Sequence, residues 1–144
     1  MKKNVLIIFS LFLFSCDKEK PEEYYYPIIS NINVTPTQLY QFTDSLVITF
    51  NYTDNDGNLG FEDPNLYALR IKDSRLENPD WFHVQPLAPP NEKIPISGTL
   101  NVSINSVFLL SSANQEIFTY TISIMDREGN WSNELISMPI TIMR

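Results

Sequence analysis

After residue 27, apolar and polar positions alternate with a period of two along most of the chain. In residues 45–53, Leu46, Ile48, Phe50 and Tyr52 fall on one side, with Thr49, Asn51 and Thr53 opposite. The same pattern runs through Ile28, Ser30, Ile32 and Val34, stopping at Pro36, and through Tyr67, Leu69 and Ile71. It returns at Leu100, Val102 and Ile104, then at Phe118, Tyr120, Ile122 and Ile124, and finally at Ile136, Met138, Ile140 and Ile142. A strand sends successive side chains to opposite faces, so each segment predicts a strand with one dry and one wet face. Pro139 has no amide to donate, which predicts an edge strand or an amide turned to water in the last segment. No stretch carries a convincing helical period. Six such strands, with residues 81–84 (WFHV) as a seventh, predict an all-β fold: an antiparallel sandwich of about seven strands, with immunoglobulin-like connectivity as the expected topology. The segment 74–97 contains five prolines and is too long for a simple connector.

The first residues follow a different pattern. Lys2 and Lys3 precede the ten-residue stretch VLIIFSLFLF at 5–14; Ser15 and Cys16 follow, and then Asp17, Lys18, Glu19 and Lys20. A positive start, a short apolar run and a small residue before the cut describe a secretory signal. A spanning helix needs about 20 apolar residues, and this stretch is too short. The single cysteine stands at the cleavage point, and Leu13-Phe14-Ser15-Cys16 resembles the bacterial lipobox. That resemblance implies diacylglycerol on Cys16 and removal of residues 1–15. The expected organisation is therefore a signal peptide at 1–15, a lipidated cysteine and flexible tether at 16–27 (CDKEKPEEYYYP), and a β-sandwich at 28–144. The expected address is the cell envelope, lipid-anchored, at the outer membrane.

Composition narrows the partners. Removing residues 1–15 leaves 129, enough for one domain with a real core. Loss of Lys2 and Lys3 takes the net charge from −7 to −9. Such an acidic surface argues against nucleic acid, while it suits divalent cations. With its one thiol used by lipid, the mature chain has no internal disulfide and must hold itself together by its core.

Two loops share a chemistry. Residues 54–60 read DNDGNLG and residues 126–130 read DREGN. In an immunoglobulin-like sandwich the loops after the second and sixth strands lie at one end. Asp54, Asp56, Asn58, Asp126 and Glu128 are then candidate ligands for a structural calcium, which takes about 6–8 oxygens and tolerates irregular geometry. The spacing is not that of an EF-hand, since Leu59 and Asn65 stand where Gly and Glu belong. A reading without metal explains the same residues: Asp and Asn close turns on their own backbone, and Gly supplies positive φ. No other cofactor is required.

The run FNYTDNDGNLG at 50–60 resembles a stretch common in small Bacteroidota lipoproteins with immunoglobulin-like domains, and DREGNWSN at 126–133 resembles the closing motif of many bacterial immunoglobulin-like modules. The acidic residues after Cys16 are also similar to the export signal of surface lipoproteins in that phylum, and equally fit a solvated spacer. The resemblance implies fold and location, and no activity.

No constellation for catalysis emerges. His83 is the sole histidine, no GxSxG elbow exists, and the His and Cys needed for zinc are lacking. Trp81 and Trp131 are candidate binding residues, able to stack on a glycan or an envelope protein, or else to cap the core. The expectation is a membrane-tethered, non-enzymatic binding or accessory lipoprotein. The alternatives are an envelope hydrolase using a carboxylate pair and a purely structural envelope component.

Overall fold

The computed structural model describes residues 26–89 and 92–144. The expected signal peptide, Cys16 and residues 17–25 of the expected tether lie outside the described residues.

The described chain is all-β and contains no helix. Its strands are β1 (Ile28–Thr35), β2 (Gln38–Tyr40), β3 (Leu46–Asp54), β4 (Leu69–Asp73), β5 (Asp80–Phe82), β6 (Ile96–Ile104), β7 (Gln115–Phe118), β8 (Tyr120–Ile124), β9 (Leu135–Ile136) and β10 (Ile140–Met143). They form three sheets, ordered β1-β3-β6, β5-β4-β8-β9 and β2-β10-β7. Every pairing is antiparallel except that of β10 with β2.

Strands form at each alternating segment, ten where about seven were expected, but two faces differ: a shift in register between Ser30 and Asn33 buries Ile29 in place of Ile28 and Ser30, and Ile136 and Met138 are exposed. Side chains in the ladder cause two of the breaks. Between β7 and β8, the Thr119 amide donates to Ser74 Oγ and the Ser74 amide to the Thr119 carbonyl. Between β9 and β10, Ser137 Oγ accepts from the Tyr120 amide, and Pro139 follows with no amide to offer. The inward parity survives the first break, so Phe118, Tyr120, Ile122 and Ile124 all stay buried.

One core joins the sheets. Ile29, Val34, Leu46, Ile48 and Phe50 come from β1 and β3, Leu69, Ile71, Ile122 and Ile124 from β4 and β8, and Leu39, Phe118, Ile140 and Ile142 from β2, β7 and β10. The arrangement is sandwich-like, with the dry face of β1-β3-β6 turned toward the other strands.

Register fixes which loops are neighbours. Ile28 pairs with Thr53 and Ile96 with Asp54, so β1 begins, β3 ends and β6 begins at one pole. Leu69 pairs with Ile124, so β4 begins where β8 ends. A bridge between Leu59 and Asp126 and a hydrogen bond from the Arg127 amide to the Asn58 carbonyl (3.1 Å) join the loops after β3 and β8.

Candidate functional site

The first acidic loop is set by the parity of β3. Leu46, Ile48 and Phe50 point inward, and two further steps of two residues bring Asp54 to the same face. A carboxylate thus occupies a core position at the end of the strand, 2% exposed. Asp56 and Asn58 continue the turn and are also buried. Two glycines make this fold-back feasible. Gly57 has φ 68° and Gly60 has φ 83°. A Cβ on Gly57 would collide with the Ile94 carbonyl, and one on Gly60 with the Gln85 carbonyl.

The result is a cluster of oxygens without donors. Asn58 Nδ2 donates to Asp56 Oδ2 at 2.9 Å, which leaves Asp56 Oδ1 and Asn58 Oδ1 unpartnered. Both oxygens of Asp54 are likewise buried with no hydrogen bond. Burial pushes the Asp54 carboxyl up to about 6, and the adjacent Asp56 carboxyl adds to the rise. The amides of Asn58 and Asp56 pull weakly the other way, but neither reaches hydrogen-bond geometry. Buried polar groups are nearly always paired, and an orphaned buried carboxylate is costly. Four such oxygens within one five-residue turn therefore need an explanation. A cleft of about 330 Å³, lined by Asp56, Asn58, Glu92, Lys93, Arg127 and Glu128, opens beside them.

The second acidic loop behaves differently. Asp126 is 0% exposed, but its carboxylate accepts from the Glu128 amide (2.9 Å), the Asn130 amide (2.8 Å) and Asn130 Nδ2 (2.9 Å). It is spent on its own turn, which Gly129 closes at φ 87°. Glu128 is exposed at the rim of the cleft. Of the five candidate ligands, the structure gathers Asp54, Asp56 and Asn58 in one turn, brings Glu128 to the cleft and commits Asp126 elsewhere. Among the described residues, no group of three or more His, Cys, Asp or Glu side chains is placed to hold a metal. The cluster here has two carboxylates, with a neutral amide oxygen as its third member.

Arg127, which sequence inspection passed over, ties the loops together. Its guanidinium donates to the Gly60 and Gly57 carbonyls, each at 3.3 Å. Its place within DREGN gave no hint that it would reach across to carbonyls about 70 residues away.

The donor set fits a calcium-like cation. Asp54 Oδ1 and Oδ2, Asp56 Oδ1 and Asn58 Oδ1 are hard oxygens and two carboxylates supply negative charge, while the Gly57, Asn58, Leu59 and Gly60 carbonyls are already engaged by Arg127 and Leu87. A thiolate-seeking or imidazole-seeking metal finds nothing here.

Trp81 and Trp131 meet on the outer face of β5-β4-β8-β9. Their ring centroids are 5.8 Å apart in an edge-to-face contact, and they are 45% and 36% exposed. Arg70 sits 4.8 Å above Trp131, bonded to Glu134 (2.7 Å) and Ser123 Oγ (3.1 Å). The indoles thus cover the outside of the sheet, while Phe50, Phe118 and Tyr120 are the aromatics of the core, and a guanidinium already occupies one face of Trp131. His83 bonds through Nδ1 to the Leu66 carbonyl (2.8 Å).

Comparison of the chain with models of known protein families, with functionally described proteins and with solved structures found no match.

Proposed function

We propose that this chain is an envelope lipoprotein whose immunoglobulin-like sandwich is stapled at one pole by a calcium-like cation, and that it serves as a tethered, non-enzymatic binding or accessory module. The observation that carries the cation reading is the set of four buried oxygens without donors on Asp54, Asp56 and Asn58. Like-charged carboxylates brought together in a low-dielectric pocket repel, and a divalent ion converts that repulsion into attraction. The ion would close the turn that links β3 to β4, in direct register with the loop after β8.

The anchor reading is supported by the residues around Cys16. β1 starts at the acidic pole, so a tether from Cys16 would bring that pole to the membrane and leave the opposite pole facing outward. The hydrolase alternative would need a carboxylate pair open to substrate. Asp54 and Asp56 are one pair the fold brings together, and their burial favours a structural role; Asp73 and Glu116 are another, and both are held by Arg75.

Two measurements test the reading. A Cys16→Ser chain should lose labelling by a fatty-acid analogue; retained labelling overturns the anchor. The melting temperature should rise with calcium and fall with chelator; indifference to both overturns the cation.

A further inference from the structure

We propose that β6 is the contact through which two copies of this chain pair, edge to edge, across a twofold axis at Leu100. Among the described residues β6 is hydrogen-bonded on one side only, to β3. Its other side presents the unpaired amide and carbonyl of every second residue along this nine-residue strand, which is a template for another strand. Sheet edges are normally blunted by charge, proline, a bulge or brevity. β6 reads ISGTLNVSI, with no charge and no proline, and its pairing with β3 is unbroken from Ile96 to Ile104.

The sequence of the edge identifies the occupant. Read from both ends it is nearly its own mirror. An antiparallel copy centred on Leu100 sets Ile96 against Ile104, Ser97 against Ser103, Gly98 against Val102, Thr99 against Asn101, and Leu100 against Leu100. Apolar meets apolar on the half-buried face, and polar meets polar on the exposed face. A one-residue slip would set the half-buried face against the exposed one, which excludes odd slips, and the centre at Leu100 is the one that pairs all nine residues end to end. The smallest member is already supported: the ring of Tyr52, opposite Gly98, lies over the space a side chain there would take. The pairing is isologous and closes on itself, which suits a dimer. It would extend β1-β3-β6 into a six-stranded sheet.

Two further observations favour a second copy. The chain carries a net charge of −7, and this uncharged edge lets two acidic molecules approach without opposing carboxylates. Beside the edge lies a cleft of about 400 Å³, whose wall is mostly apolar, with Leu100 and Val102 of β6 among its six apolar residues, and carries four polar residues as well. Inward side chains of the incoming strand would cover it and remove that apolar surface from water.

The test is sedimentation of the full chain over a range of concentrations, with two charge variants. The unaltered chain should double its mass as concentration rises. Thr99→Lys with Asn101→Lys puts like charges opposite one another across the axis, on the exposed face and away from the core, and should leave a single-chain mass. Thr99→Glu with Asn101→Glu should do the same. An equal mixture of the two variants should restore the doubled mass, which also shows that both are folded. A single-chain mass for the unaltered protein at every concentration overturns the proposal. So does a doubled mass that survives the lysine substitutions, or a mixture that fails to associate.

Discussion

Replacing Asp54 by asparagine should make the metal-free protein more stable and calcium irrelevant to it. The side chain keeps its shape but loses its charge. Asp54 is raised from 3.8 to about 6 in the fold, first by burial and then by Asp56. That rise of about two pK units corresponds to roughly 3 kcal/mol of destabilisation once the group is ionised, as an order of magnitude. The sign follows from linkage. A folded-state pKa above the unfolded one means the folded protein holds the proton more tightly, so metal-free stability falls as pH rises from about 4 to about 6 and stays low above that. At pH 7.5 without calcium, Asp54→Asn should therefore melt higher than the parent, by about 9–15 °C for a domain of this size. Calcium at 100 times its dissociation constant should stabilise the parent by about 2.7 kcal/mol and leave the variant unmoved. The calcium-induced shift in the parent should also grow from pH 4 to pH 6, as the competing proton leaves. The assay is thermal melting of both proteins with calcium and with chelator across that range. A metal-free variant less stable than the parent, or one that gains as much from calcium, would refute the reasoning.

Further outcomes follow from other residues. Gly57→Ala meets both a positive φ and the Ile94 carbonyl, and should cost about 1–3 kcal/mol in chemical denaturation; an unchanged midpoint would show that the turn relaxes freely. Glu116 is held down at about 2 by the Ser111 side chain and the Leu110 amide, with Arg75 assisting. Its stabilisation should be complete above pH 4.5 and vanish as pH falls toward 2, so the deficit of Glu116→Gln, measured by denaturant midpoint, should narrow below pH 4.5. Phe50→Ala removes a fully buried ring from β3 and should cost about 3–5 kcal/mol by the same measurement.

The strands β3, β4 and β8 were legible because their inward positions are dry and a period of two reports that directly, whereas β5 and β9 have no dry face to report. The fate of Asp54 was legible too, since it continues the parity of Leu46, Ile48 and Phe50. The number of strands was not, because the interruptions at Thr119 and Ser137 depend on hydroxyls and amides supplied by distant segments. The two acidic loops look alike as strings, yet one carboxylate is satisfied by its own turn and the other is left without donors. That difference arises from burial against the rest of the fold, beyond anything in the local motif. Trp81 and Trp131 lie 50 residues apart in sequence. Only the pairing of Arg70 with Trp81 and the bridge from Met125 to Trp131 bring them to one face.

The central claim is that Asp54, Asp56 and Asn58 hold one divalent cation. Equilibrium dialysis of the full chain against radioactive calcium tests it directly. One ion should be bound per chain at neutral pH, with none on a chain carrying both Asp54→Asn and Asp56→Asn. No bound calcium on the unaltered chain, or equal binding by the double substitution, would contradict the account.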